Sequence, residues 1–470
     1  MLPELVRLTS SLESDLQFLR EDLLGSAAHA VMLGKTAIIS VHDAITLRDA
    51  LLAMEHEARG PKLPELPLEE DVHMAVEAAL AARAPNVASR LHTARSRNDQ
   101  IALDLRLFVR ERGRAVLAKT AKLARDVLAR GERDAHVLLP AYTHRQRAQP
   151  ITAAFLSCAW VAALLRAADV ARFALDSADA SPLGSGACSG TSLPIDRALT
   201  ARLLGFSRTT TNALDAVHDR DFALDFSWAC ARVSFACAQI AADVIDFSTA
   251  EFSLVRLDGE ISAGSSMMPQ KKNPDVFELT RGKAAGAAGD VVAMLALVRG
   301  LPSGYNRDQQ EDRGPLLAAP ARAQDALDLL ALSLPHVHFD EARGKAMLDE
   351  GFTQATDLAE ALVKKGLPFR EAYGAVGALV RRALDAGTTL RAVSIDVAKS
   401  VHSAIDEEAL AVLDPARAAS AKESPGGTGA KSVAAQRDEL RARADRLAAM
   451  AEKIPSLESI ADSIAREPLP

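Results

Sequence analysis

Aromatic side chains are scarce, at 4 % of 470 residues, with two tryptophans and three tyrosines. Alanine and leucine are abundant instead, which favours close-packed helices over a β-sandwich. Excess positive charge is also missing: 55 Lys and Arg face 62 Asp and Glu, for a net charge of −7. With no face-wide basic cluster, the chain has no nucleic-acid surface, and any anion must be held by local positive charge. The four cysteines, Cys158, Cys188, Cys230 and Cys237, show no metal-ligand spacing. They read as reduced thiols of a cytoplasmic protein. No charged-then-apolar leader opens the chain. The longest apolar run, Ile151 to Leu165, is too short to span a bilayer, so no membrane partner is expected. Dinucleotide and phosphate loops are absent, as are solenoid repeats.

What is present is a globular mix, 49 % hydrophobic and 25 % charged, long enough for roughly three domains. Residues 1–95 read as a mostly helical N-terminal domain, with a break from Arg59-Gly60-Pro61 to Pro67. Residues 96–343 read as a bundle of long helices, and 344–470 as a smaller helical domain. The first helix of the central region carries Ile101, Leu105 and Phe108 on one face and ends near Gly131. Pro150 opens a second over 151–180, a third covers 219–252 and another 312–334. Phe226, Trp228, Phe235, Ile240, Val244 and Ile245 leave the third no polar face, which predicts burial on every side. Gly286 and Gly289 stand among alanines and permit close helix approach. These features predict a bundle core that continues between subunits. The charged stretch 436–453 reads as an exposed or docking helix.

Polar blocks mark the junctions between these helices: His92 to Gln100, Ala141 to Pro150, and Gly264-Ser265-Ser266-Met267-Met268-Pro269-Gln270-Lys271-Lys272-Asn273-Pro274-Asp275. The last ends in a helix start, with Asn273 as N-cap, Pro274 at the first helical position and Asp275 complementing the dipole. That helix runs to Gly300, and Pro302 stops it. Two hydroxyls and two lysines thus sit on a loop at the positive end of a helix, where free N–H groups attract anions. In the second block an imidazole, His144, stands beside the Thr143 hydroxyl, and histidine is the usual acid or base near neutral pH.

The block Gly264 to Asp275 resembles the signature of the fumarase/aspartase superfamily of lyases. The detailed wording is similar to the argininosuccinate lyases. Glu70-Asp71-Val72-His73, the His92 to Gln100 block, the Thr143 to Pro150 block, Pro182 to Ala187, Asp215 to Asp221, Tyr305 to Asp312 and Gly351 to Ala359 all fit it. The match runs from about Gly25 to about Gly427. The resemblance implies an all-α, three-domain fold whose central long-helix bundle builds the core of a homotetramer, with each active site drawn from three subunits. It implies a small-molecule substrate, argininosuccinate, split into arginine and fumarate by β-elimination without metal or organic cofactor. Removing a proton beside a carboxylate gives an aci-carboxylate, and Lys271 with the loop N–H groups can stabilise it. By the same resemblance Ser265 is the base on a closing loop, and His144, oriented by Glu278, shares its site. The acid and base roles stay open between Ser265 and His144. Substrate contacts carried over are Ser26, Asn98, Thr143, Arg220, Asn273, Tyr305, Gln310 and Arg313. Each has a plainer reading: Asn98 as an N-cap, Arg220 as a salt-bridge partner, Tyr305 as a loop anchor.

The chain departs from that pattern in three places. A Trp-Gly-Gly-Arg-Phe segment is not found near Met1-Leu2-Pro3-Glu4. Ala94 stands where glycine is usual, and Arg307 and Arg313 stand where lysine is usual. Arginine binds a carboxylate with a planar fork and lysine with a point charge, so the amine half of the substrate is less secure than the elimination itself. The alternatives are a carbon–nitrogen lyase acting on another N-substituted aspartate, a non-catalytic scaffold of the crystallin kind, and a helical interaction protein.

Overall fold

A computed structural model describes residues 3–60 and 63–469. Met1 and Leu2, and Pro61 and Lys62 in the expected break, lie outside the described residues. The chain is 68 % helical, and its strands form four two-stranded ladders. The mostly helical fold agrees with the all-α expectation.

The elements that position the site are, in chain order, α1 (Leu19–Lys35), α2 (Arg97–Arg133), β1 (Leu138–Thr143), β2 (Gln146–Thr152), α3 (Ala153–Ala178) and α4 (Asp221–Ser248). They continue with β3 (Val255–Leu257), β4 (Ala263–Gly264), β5 (Lys272–Asn273), α5 (Asp275–Val298), α6 (Arg313–Ser333), β6 (Val337–Phe339), α7 (Ala430–Lys453) and α8 (Leu457–Arg466). Helix α2 sets the scale. Its 37 residues span roughly 55 Å at about 1.5 Å each. A capping box starts it: Ser96 accepts from Asn98 N–H, and Asp99 accepts from Ser96 N–H.

Ion pairs fix how the long helices run. Arg106 near the start of α2 pairs with Asp219, just before α4. Arg220 pairs with Asp312 at the start of α6, and Arg130 at the end of α2 donates to the carbonyls of Leu334 and Val337. So α2, α4 and α6 run the same way. Helix α5 runs against α6, held by Lys283–Asp325 and Arg322–Asp290. One hydrophobic core takes in the bundle, α1 and the returning helices α7 and α8. A second, smaller core lies within 358–413.

Two expectations need correction. Pro150 does not open a helix; it lies in β2 opposite Pro140, and α3 starts at Ala153 behind the N-cap Thr152. A two-stranded ribbon has only edges, so prolines that donate no hydrogen bond are tolerated. At α5, Pro274 is the N-cap, and Asn273 is tied into the β4–β5 ladder opposite Ala263. Within one chain, α4 leaves Trp228 and Phe235 40 % and 38 % exposed. Both α3 and α4 are long and apolar enough to cross a membrane by length and composition, and 56 % of each apolar window is buried. Their apolar character is that of core helices.

Ala94, standing where glycine was expected, has φ of +60°. An alanine in the left-handed region costs about 1–2 kcal/mol, while glycine gives back part of that through the unfolded chain's freedom. Ala94→Gly is therefore expected to raise stability by a few tenths to about 1 kcal/mol, measured as a shift in the urea midpoint without a change in slope.

Candidate active site

The twelve candidate residues fall into two groups at opposite ends of the bundle. At the end where α2 and α4 finish, β1 and β2 form a hairpin whose two-residue turn is His144–Arg145, at φ of 51° and 60°. Such turns usually take Asn-Gly because both residues need positive φ, so the tip is strained at His144, a candidate residue. Thr143 and His144 are exposed. Arg145 pairs with Asp246 at 2.7 Å, and the rings of Tyr142 and Phe252 lie 5.1 Å apart, which fix the hairpin to the end of α4. A helix behind it approaches so closely that a Cβ on Gly344 would lie 2.2 Å from the Leu138 carbonyl.

The loop with Ser265 hangs at the same end, closed at its root by the β4–β5 pairing. The Ser265 oxygen accepts the N–H groups of Met267 and Met268 at 3.2 and 3.0 Å. Two amide dipoles aimed at one hydroxyl oxygen favour negative charge on it. Lys271 and Glu278 are exposed. Among the described residues neither side chain makes a hydrogen bond or ion pair, so the expected Glu278–His144 contact is not made within one chain.

The other end carries Asn98, Arg220, Tyr305, Gln310, Arg313 and Ser26. Asp99 organises it, accepting from the N–H groups of Gly184 and Gly186 at 3.0 and 2.8 Å. That docks the Pro182 to Ala187 loop onto the start of α2, where Asn98 Nδ2 donates to the Ala187 carbonyl at 2.9 Å. Asn98 is thus not the N-cap, a place Ser96 takes. A cleft of about 180 Å³ is lined by Asn98, Tyr305, Gln310 and Arg313, with Asp71, His73 and Arg97 among its other walls. Ser26 is outside it, buried in α1 and accepting from Arg95 at 2.8 Å.

Arg220 and Arg313 share one buried carboxylate. Asp312 accepts from Arg220 at 2.6 Å and from Arg313 at 2.7 Å, and Arg313 also reaches Asp15 at 3.1 Å. Burial opposes the Arg313 charge, but Asp312 and Asp15 outweigh it and hold the guanidinium above its ordinary range. Arg313 therefore meets the cleft with its charge already engaged by the protein. Asp15 carried no sequence signal beyond an acid near a helix start, and Asp99 stood inside the quoted His92 to Gln100 block without a role. Asp312 stood inside a quoted motif without a role.

Against this geometry, a lyase family model matches residues 30–289, and an argininosuccinate lyase C-terminal model matches 352–420. The argininosuccinate lyase of Prochlorococcus marinus (strain MIT 9303) is 40 % identical over 444 residues, covering 94 % of each chain. That settles the family. The chain belongs to the argininosuccinate lyases. The argininosuccinate lyase of Desulforudis audaxviator (strain MP104C) is likewise 40 % identical over 438 residues, 93 % of this chain and 95 % of that one. Among solved structures, an EDDS lyase in complex with formate has a TM-score of 0.83 at 24 % identity, covering 96 % of this chain and 92 % of the other. At that identity the likeness speaks for the fold.

In this lyase the shared carboxylate is the point of greatest structural sensitivity. Asp312→Asn would leave two buried guanidinium groups short of countercharge. The expected loss is about 3–5 kcal/mol of stability, read by chemical denaturation; a loss below about 1 kcal/mol would show that the pair is solvent-screened.

Proposed function

We propose that the chain cleaves argininosuccinate to arginine and fumarate by β-elimination, as a homotetramer with shared active sites. The observation that carries this reading is the division of the site. Ser265, Lys271, Asn273, Glu278, Thr143 and His144 stand exposed or half-buried at one end of the bundle. The cleft with Asn98, Tyr305, Gln310 and Arg313 lies at the other. An antiparallel neighbour brings one end against the other. The surface of α5 supports such a neighbour: Leu279, Val292 and Leu295 are 61 %, 65 % and 56 % exposed. Gly282 and Gly289 between them leave open space above their Cα atoms, so another backbone can approach closely.

The chemistry follows from charge. The base takes a proton beside a carboxylate, and the carboxylate then carries two negative charges. Ser265, its oxygen braced by two N–H groups, is suited to be that base, and Lys271 to meet the growing charge. His144 is then assigned to protonate the departing nitrogen. Tyr305, Gln310 and Asn98 supply polar contacts for the rest of the substrate, and no metal or organic cofactor is assigned a step. Four unpaired cysteines, three of them buried, suit a cytoplasmic location; burial pushes the Cys158 thiol to about 11 and that of Cys237 to about 12.

The test is fumarate release from argininosuccinate, followed by absorbance, with arginine identified as the second product. Adenylosuccinate and ethylenediamine-disuccinate serve as competing substrates, and faster turnover of either would overturn the assignment. Ser265→Ala should lower kcat by roughly two orders of magnitude or more, with KM little changed, because it removes a group needed in the transition state. Near wild-type turnover would remove Ser265 from the chemistry.

Sharing of the site has its own test. Mixing inactive His144→Asn with inactive Ser265→Ala protein should restore activity after subunit exchange, since some mixed sites then carry neither lesion. A monomer active at assay concentration, seen by light scattering, would overturn it.

A further inference from the structure

The loop that carries Ser265 is rooted in a second cluster of chemistry-bearing side chains that the elimination does not use. Strand β3 pairs antiparallel with β6, Arg256 opposite His338 and Leu257 opposite Val337. Asp258 follows β3 and donates its N–H to the His336 carbonyl at 3.1 Å, which puts Asp258, His336 and His338 on one face. The Oδ2 atom of Asp258 lies 2.8 Å from His338 Nε2 and 3.4 Å from His336 Nδ1. Glu260 adds a further carboxylate, and single donor atoms of Asp258, Glu260 and His336 all lie within 4.8 Å of one another.

We propose that Asp258, Glu260, His336 and His338 form a binding site for a divalent transition-metal ion of the zinc or cobalt class, at the root of the Ser265 loop. Ligands about 2.0–2.2 Å from one ion lie roughly 2.8–3.6 Å from each other in octahedral to tetrahedral geometry. The two histidine–aspartate separations fall in that range; Asp258, Glu260 and His336 already converge, and His338, in contact with Asp258 but outside that convergent trio, joins them by a side-chain rotation. Two imidazoles with carboxylates are the donor set for zinc, cobalt or nickel, and a poor one for magnesium or calcium. Arg256 is the opposing charge on this face. It donates to the other oxygen, Oδ1, at 2.9 Å, and leaves Oδ2 to the histidines. His338 is exposed and His336 and Asp258 are partly so, which gives an ion a path into the folded protein. The buried trio Asp22, His73 and Asp104 differs here, because it is sealed from solvent and already faces the Arg95 guanidinium. Ligation at Asp258 would clamp β3 to β6. Ser262, whose hydroxyl donates to the Asp258 carbonyl at 2.9 Å, passes that clamp to the loop.

The test is calorimetric titration of the chelator-treated full chain with zinc chloride, repeated with cobalt chloride to read the visible bands of ligated Co²⁺. One ion per chain is expected. The double variant His336→Ala/His338→Ala, checked for native circular dichroism, should bind it roughly tenfold or more weakly, and His136→Ala should bind as wild type. No zinc binding by the wild-type chain, equal affinity in the double variant, or loss of binding in His136→Ala would each overturn the assignment.

Discussion

The length of α2 governs the arrangement of the candidate site. Its 37 residues hold Asn98 in the first turn, and the hairpin with His144 begins five residues beyond its last. A rigid helix cannot bring its two ends together. The roughly 55 Å between them is several times the reach of any small substrate. A single chain therefore holds the candidate residues in two separate groups, one at each end of the bundle. The sharing of sites proposed above would account for that separation.

The two ends are built on different physical terms. At the cleft end the charges are buried and satisfied within the chain: Arg220 and Arg313 converge on Asp312, and Asp99 gathers the Pro182 to Ala187 loop. Such a network is costly to disturb, which makes it a rigid wall for a substrate to meet. At the hairpin end the candidate groups are exposed or half-buried, and the Ser265 loop is held by a two-residue ladder at its root. Few buried contacts hold that loop, which is the low local stability a closing loop would need.

The sequence disclosed much of the bundle, because two of its helices, α2 and α5, carry caps or stops that act locally. Ser96 with Asp99, the end near Gly131, and the Gly300–Pro302 break each express a preference of a few neighbouring residues. The hairpin was not legible. Its strands hold two prolines and little alternation, and it stands because Tyr142, Arg145 and Gly344 meet partners far away in the chain. The motif residues were legible as a set through family wording, but their partition between two ends was not, since it depends on which helices run parallel. The plainer reading of Arg220, as a salt-bridge partner, describes its contact in this chain. Asp15 escaped notice, and the role of Asp99 inside its quoted block went unread, because an acid at a helix start has a sufficient local explanation.

The unequal support given to the two reactive side chains bears on their roles. Ser265 already has two amide donors on its oxygen within its own loop, so the stabilisation of negative charge there needs no other chain. His144 has no comparable partner among the described residues, and its exposed, positive-φ turn commits it to whatever packs against the hairpin. On the division of roles proposed above, the two amide donors favour the ionised hydroxyl that a base requires before it takes the proton, whereas an acid needs only a proton and correct placement.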